Sequence, residues 1–242
     1  MVQRFAKKLE TVSLVDEGKV KRIRGLLTSA KVSPQLTTRV VDKVREVLND
    51  YIPDVWIHTD HYKKGQAGEQ PGYALSLVAE TTTGLILTKD YNFNPTDFKL
   101  PEDLGKRVSL ALLDEIFSGG AVDSANQSFA LLLMSLASSD NISAIKIGRI
   151  TQQSIQMLKN IKAFINVQFK IEEVEDDVYS ESSSDEEGEE ESKGEEESEE
   201  IIKPKEIKKA TSTKPGAPTE FPKAFIFSCI GIGLTNIARK ME

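Results

Sequence analysis

The sequence has little cysteine and little histidine. Its single cysteine, Cys229, cannot form an intramolecular disulfide. The only histidines are His58 and His61, so no four-ligand set of cysteines and histidines exists for a structural zinc site. A chain without disulfides fits a reducing, intracellular compartment, and 39% hydrophobic residues are enough for one large or two small globular cores.

Long hydrophobic runs are also missing. The longest apolar run, residues 224–237, is interrupted by glycines and polar residues. It is also shorter than the roughly 20 residues that a membrane-spanning helix needs. We therefore expect no membrane partner.

Charge is unevenly distributed along the chain. The formal charge of −7 conceals an acidic tract, residues 172–200, with 17 acids and one base. This tract has too few apolar residues to offset its ordering entropy, so we predict that it is disordered. The stretch that follows, up to residue 223, contains KPKEIKK, which fits either a nuclear-import signal or a solvated linker. Without residues 172–223 the chain has 24 bases and 19 acids, a mildly basic balance that is typical of nucleic-acid-binding proteins but also of many others.

The acidic tract contains candidate phosphorylation sites. Each of these serines has an acid three positions further on, as an acid-directed kinase requires. They are Ser182, Ser183, Ser184 and Ser192. The alternative is that these serines only keep the tract soluble.

Predicted helices and strands alternate along the rest of the chain. Residues 18–32 predict an extended segment with Gly25 as a possible bulge, and a helix begins at the N-cap Ser33 and Pro34. The further elements are a strand at 53–59, a hairpin of 73–81 and 85–88, helices at 104–116 and 124–137, a strand at 143–148, a helix at 151–165, and strands at 166–171 and 224–229. The helix at 124–137 is apolar on every side, which predicts a position between two layers. We expect the last two strands to be neighbours in one sheet, in an α/β or layered α+β fold.

Several sequence segments occur in a specific order. They are GKVKRIRG at 18–25, VSPQ at 32–35, TDHYKKG at 59–65, GYALSLVAETTTG at 72–84, LPEDLG at 100–105, GGAVDSANQSFALLLMSLA at 119–137 and CIGIGLTNI at 229–237. Together they resemble the RNA 3′-terminal phosphate cyclase family, and most of all its eukaryotic cyclase-like branch, a ribosome-assembly factor. The resemblance covers nearly the whole chain except 172–223.

The resemblance implies a domain organisation. Family members are built from βαβαββ repeats, with a smaller α/β domain inserted into the last repeat. We expect this chain to correspond to the C-terminal part of a family member, without the upstream repeats. The expected domains are the end of the preceding core with a junction strand at 1–24, the insert at 25–98, the C-terminal core at 99–171 and 224–242, and the disordered insertion at 172–223.

The resemblance also bears on catalysis. True cyclases have a nucleophilic histidine just before an LLTN-like sequence, and alignment of LTNI places Ile232 at that position. Isoleucine cannot accept a nucleotidyl group, so we predict no cyclase chemistry, no catalytic residue and no cofactor. The segment Gly231–Gly233 fits either a phosphate-binding turn or tight packing of the last strand, and we favour packing.

The histidines do not predict a metal site. On a strand, His58 and Asp60 share one face, whereas His61 points to the other. We therefore predict no metal site. Asp114 and Glu115 are adjacent on a helix and diverge, which argues against an acid and base pair.

Two groups of basic residues are the candidates for contact with RNA or an acidic partner. Lys159 and Lys162 lie three apart on a predicted helix, turned away from an apolar face that includes Phe164. The second group is at the junction with the insert and consists of Lys19, Lys21, Arg22 and Arg24. A solvated surface is the alternative for each residue alone.

Two functions follow from the resemblance and from these residues. The first is a non-catalytic scaffold in ribosome biogenesis, acting in the nucleolus of the nucleus during small-subunit pre-rRNA processing. Its implied partners are a ribosome-assembly GTPase and pre-rRNA particles. The alternative is an enzyme acting on RNA, either a pre-rRNA endonuclease or, much less readily, a 3′-terminal phosphate cyclase.

Overall fold

The computed structural model of the protein describes residues 9–63, 65–174 and 224–234. The predicted disorder of the acidic tract and the four candidate phosphorylation sites lie outside these ranges. The elements within them are β1 (Ser13–Leu14), β2 (Val20–Ala30), α1 (Pro34–Leu48), β3 (Val55–Tyr62), β4 (Gly72–Thr81), β5 (Ile86–Asn92), α2 (Pro101–Ser118), α3 (Gln127–Leu136), β6 (Ile142–Ile147), α4 (Gln152–Ile165), β7 (Lys170–Glu173) and β8 (Phe225–Ile230).

One sheet, sheet I, has the strand order β1-β6-β8-β7. Strand β1 runs parallel to β6, and the other pairs are antiparallel. Helices α3 and α4 pack with this sheet around a core that includes Leu131, Ile145, Ile161 and Phe227. Without the segment between β1 and α3, these elements follow the order βαβαββ, so the predicted repeat with an inserted domain is confirmed.

The other sheet, sheet II, has the order β3-β2-β4-β5 and belongs to the segment between β1 and α3. Strand β2 is parallel to β3 and antiparallel to β4, and β4 forms the predicted hairpin with β5. Helices α1 and α2 cover one face of sheet II through Val44, Leu104 and Leu112, which are all fully buried. The opposite face carries no helix within the described residues, and we call it the open face.

Local signals explain where several helices begin. Helix α1 starts after Ser33 with Pro34 in its first turn, as predicted. Thr151 caps α4, because its hydroxyl accepts a hydrogen bond from the Ser154 N–H at 3.1 Å. Strands β7 and β8 are antiparallel neighbours, which confirms the predicted pairing of two strands separated by residues 174–224.

The predicted bulge at Gly25 is wrong. Gly25 pairs regularly with Ile57 and Leu77, and a Cβ at this position would lie 2.8 Å from the Leu77 side chain. The irregularity occurs at Lys21, because Val20 pairs with Thr81 whereas Arg22 pairs with the adjacent Glu80. Gly25 therefore serves close packing, and Lys21 is the extra residue of the bulge.

Two expectations about helix faces are also corrected. Phe129 on α3 is exposed, so α3 is not buried on every side within the described structure. Phe164 on α4 is 87% exposed and does not join the apolar face that contains Ile161. In both helices, one side contacts the core and a phenylalanine faces outward.

Packing joins residues on both sides of the predicted insert limits, 25–98. Strand β2 runs without interruption through residue 24, and α2 shares its buried core with α1 and sheet II. The structure therefore groups β2 through α2 around one core. The domain limits at 1–24, 25–98, 99–171 and 224–242 stay a prediction.

None of the helices in the described ranges is both long enough and apolar enough to cross a membrane.

Candidate nucleic-acid interface

The four basic residues predicted at the junction, which we call the basic cluster, lie at the start of β2. Lys19 and Lys21 are exposed, and neither forms an ion pair with the described part of the chain. Arg22 contacts Glu80 with a nitrogen to oxygen distance of 2.6 Å. The cluster is thus divided into two cations that face solvent and two arginines with partners inside the protein.

Arg24 forms the most extensive of these ion pairs. Its two terminal nitrogens contact the two carboxylate oxygens of Asp54 at 2.8 and 2.9 Å. This hydrogen bonding lowers the pKa of the Asp54 carboxyl, and the positive charges of Arg22 and Lys21 lower it further. The charge of Lys21 therefore lies near enough to this ion pair to act on it.

Lys159 and Lys162 lie beside a shallow groove at the edge of sheet I. The groove has a volume of about 250 Å³ and is lined by apolar side chains of the α4 to β7 connection, Val167 and Phe169, and by Ile171 of β7. Both lysines are exposed, and within the described residues neither forms an ion pair. The structure places this lysine pair near sheet I and the basic cluster on sheet II, so the candidates form two surfaces.

The segment around Ile232 packs tightly against the end of α3. Backbone N–H groups of Ile232, Gly233 and Leu234 donate to carbonyl oxygens at the end of that helix, at 2.7 to 3.1 Å. A Cβ at Gly231 would collide with the Ala137 backbone. These three N–H groups are already used and do not point to a phosphate, and Gly231 packs against the end of α3 and not, as was predicted, against the sheet.

The histidine strand alternates as predicted. His61 Nδ1 lies 2.6 Å from the hydroxyl of Ser29 on the core side of sheet II. On the open face, a hydrogen bond to Asp60 raises the pKa of Tyr62. Within the described residues, no group of three metal-ligating side chains is placed to hold an ion.

Asp114 and Glu115 also diverge as predicted. Asp114 lies 3.5 Å from Arg149, whereas Glu115 contacts Lys89 at 2.6 Å. Each carboxylate has its own basic partner, and the two point to different neighbours.

Trp56 was not among the residues predicted for the site. This residue is the only tryptophan of the chain, and its side chain is 63% exposed on the open face of sheet II. It is the register partner of Arg24 on the neighbouring strand. The signal was present in the alternation of VWIHT, because buried Ile57 places Trp56 and His58 on the opposite face.

Comparison with known proteins agrees with this architecture. Residues 15–117 match the insert domain of the RNA 3′-terminal phosphate cyclase family. This range begins beside β1 and ends within α2, so it contains all of sheet II. The chain belongs to the RNA 3′-terminal phosphate cyclase family. The resemblance predicted from the sequence motifs is confirmed.

Individual relatives of this cyclase-family chain carry related names. It is 47% identical over 169 residues to an RNA 3′-terminal phosphate cyclase-like protein of Homo sapiens, covering 69% of the chain and 45% of that protein. It is 37% identical over 244 residues to a probable cyclase-like protein of Dictyostelium discoideum, covering 96% and 53%. It is 38% identical over 169 residues to an rRNA processing protein of Schizosaccharomyces pombe, covering 69% and 46%. The chain spans about half the length of the curated relatives it matches.

Proposed function

We propose that this cyclase-family chain is a non-catalytic scaffold in ribosome biogenesis that contacts RNA during small-subunit pre-rRNA processing. The similarity over 169 residues to an rRNA processing protein carries this proposal. The proposal includes association with a ribosome-assembly GTPase and with the pre-rRNA particle in the nucleolus. Ile232, at the expected position of the cyclase nucleophile, offers no nucleophilic atom.

The lysine pair beside the groove supports direct contact with RNA. Lys159 and Lys162 are one helical turn apart, and no carboxylate of the described residues neutralises them. Two unpaired ammonium groups at this spacing suit the phosphates of an RNA backbone, and binding would release the counterions of those phosphates. The apolar groove next to them offers Phe169 as a flat surface for a base.

Charge reversal tests the lysine pair. For Lys159→Glu combined with Lys162→Glu, we expect at least tenfold weaker binding of a pre-rRNA fragment at moderate salt and a shallower salt dependence, because two phosphate contacts are lost. Fluorescence anisotropy at several salt concentrations measures both quantities. Lys106→Glu, at an exposed position on α2, is the matched control for one charge reversal. If Lys106→Glu loses as much RNA affinity as the single variants Lys159→Glu and Lys162→Glu, a specific role of the lysine pair in RNA binding is contradicted.

The cellular role needs a separate experiment. We would recover the tagged chain from nuclear extract and identify its partners by mass spectrometry and RNA sequencing, with a variant lacking residues 172–223 as control. Small-subunit precursor RNA together with a GTPase is the expected result. Recovery of neither by a folded chain would contradict the proposal, and cleavage of a labelled pre-rRNA by the purified chain would contradict its non-catalytic part.

A further inference from the structure

The open face of sheet II presents a flat apolar surface next to positive charge. Trp56 and Leu26 are exposed there, and exposed His58 is the register partner of Leu26. Helices cover the other face of the sheet, so these side chains lie on its uncovered side. A surface tryptophan of this exposure, on a strand that otherwise alternates with core residues, is available to a ligand.

Charge at this end of the sheet favours an anionic ligand. The four cations of the basic cluster are opposed by two carboxylates, those of Asp54 and Glu80. The bulge places Lys21 beside Arg22 on the side of the open face, because Val20 before it packs against the core. Lys19 and Lys21 therefore remain for an outside anion, whereas the arginines hold the carboxylates in place.

The spacing of these groups matches the chemistry of a single-stranded nucleic acid. Arg24 is fixed by Asp54 and is the register partner of Trp56, so a rigid ion pair lies on the strand next to the indole ring. Lys21 and Lys19, which form no ion pair with the described residues, precede Arg24 by three and five positions at the start of β2. Unpaired bases stack on exposed aromatic rings, and their phosphates contact lysines nearby. A duplex conceals its bases and offers only its phosphates to such a surface.

We infer that Trp56, together with Lys19 and Lys21, forms a binding site for single-stranded RNA in which an unpaired base stacks on the indole ring. This inference rests on the proposed contact with RNA, and it adds a second RNA surface on sheet II to the lysine pair near sheet I. The two surfaces differ in how they present an aromatic ring, since Phe169 is half-buried in a groove whereas Trp56 is exposed on a sheet face.

The single tryptophan provides a direct test with the full chain. Unlabelled single-stranded RNA of mixed sequence is expected to quench Trp56 emission, whereas the same sequence as a duplex leaves the emission nearly unchanged. In parallel, anisotropy with labelled RNA is expected to show about tenfold weaker binding for Trp56→Ala, since a base loses the aromatic ring on which it stacks. Trp56→Phe keeps an aromatic ring and is expected to retain most of the affinity. Circular dichroism establishes that each variant is folded.

Asp54→Asn is the complementary variant. It removes the carboxylate that neutralises Arg24, so we expect tighter binding of single-stranded RNA and a steeper salt dependence than in the unmodified chain. Reduced affinity would contradict the assignment of this end of the sheet to an anionic ligand.

The outcomes separate this inference from the proposed function. RNA that binds with unchanged tryptophan emission, and with equal affinity for Trp56→Ala, overturns the site on sheet II and leaves a protein as the occupant of the open face. The proposed contact through Lys159 and Lys162 would then stand. If RNA quenches Trp56 emission and charge reversal at Lys159 and Lys162 has no effect on RNA binding, the inference is supported. The proposed RNA contact of the lysine pair is then contradicted. The absence of any RNA binding would overturn both.

Discussion

Gly148→Ala is expected to destabilise the fold by about 3 kcal/mol or more, because the added methyl group has no room. A Cβ at this position would overlap the carbonyl oxygens of Ser118 and Gly119. Both are backbone atoms at the end of α2, so no flexible side chain can move aside. Unfolding in urea, followed by far-UV circular dichroism, measures the change as a lower midpoint.

The position of Gly148 explains why its neighbours cannot yield. The chain after α2 crosses the end of β6, where Ala121 N–H donates to Lys146 O at 2.8 Å and Gly120 forms a bridge with Ile147. The carboxylate of Glu17 holds the same segment, accepting from Gly120 N–H at 2.6 Å. An alanine must therefore disturb the contact between α2 and sheet I.

Gly72→Ala is the matched control for the same change. No described atom lies within 4 Å of a Cβ at Gly72, and its backbone conformation accepts any residue. We expect a change within about 0.5 kcal/mol. Equal midpoints for Gly148→Ala and Gly72→Ala would show that the contact at Gly148 is looser than the structure has it. If Gly148→Ala does not fold whereas Gly72→Ala does, the destabilisation is larger than about 3 kcal/mol and still agrees with the prediction.

Features encoded by short-range chemistry could be predicted from the sequence. The start of α4 at residue 151, the Ser33-Pro34 start of α1 and the hairpin between β4 and β5 depend on residues a few positions apart. The pairing of β7 with β8 was also predicted, because the acidic tract between them could be recognised by composition alone.

Features that depend on which surface meets another element could not be predicted. The bulge at Lys21 arises from the register between β2 and β4, strands that are far apart in sequence. Phe164 lies at the margin of the apolar stripe of α4, and its exposure depends on where α3 and sheet I contact that helix. For the same reason, the alternation around Trp56 predicted two faces of β3 but not which of them the helices cover.

The candidate site also combines features that depend on nearby residues with features that depend on distant strands. Exposure of the lysine pair on α4 follows from helical spacing, which the sequence contains. The ion pairs of Arg22 and Arg24 with Glu80 and Asp54 connect different strands, so a count of basic residues overestimated the free charge at the junction. Long-range pairing thus decides which cations remain for a ligand.

Asp123→Ala is expected to destabilise the protein by about 3 kcal/mol, the second large effect that the structure predicts. Asp123 is 1% exposed, and its carboxylate accepts four hydrogen bonds. Two come from the N–H and hydroxyl of Thr88 on the outer strand β5, at 3.1 and 2.6 Å. The other two come from the N–H and side-chain amide of Asn126, at 2.9 and 2.8 Å.

The cost arises because alanine leaves these donors without partners. A buried donor that loses its acceptor costs about 1–3 kcal/mol, and several are affected together. Asp123→Asn is expected to fall between alanine and the unmodified chain, because its amide keeps one acceptor oxygen but turns an NH₂ group toward other donors. Urea unfolding measures the free energy of unfolding of the three chains and so gives their order of stability. Asp114→Ala is the control, since that carboxylate is more than half exposed and its loss should cost less than about 1 kcal/mol.

Hydrogen exchange at Thr88 separates a local effect from a global one. The Thr88 N–H lies on the outer edge of β5, beside which the described residues place no further strand, and Asp123 supplies its acceptor. In Asp123→Ala, we expect this amide to exchange much faster than amides in the centre of β4, because the edge opens without unfolding of the sheet. Uniform acceleration would instead mean that Asp123 stabilises the whole fold. Unchanged exchange at Thr88 would contradict the role of Asp123 as the link between the insert and the loop before α3.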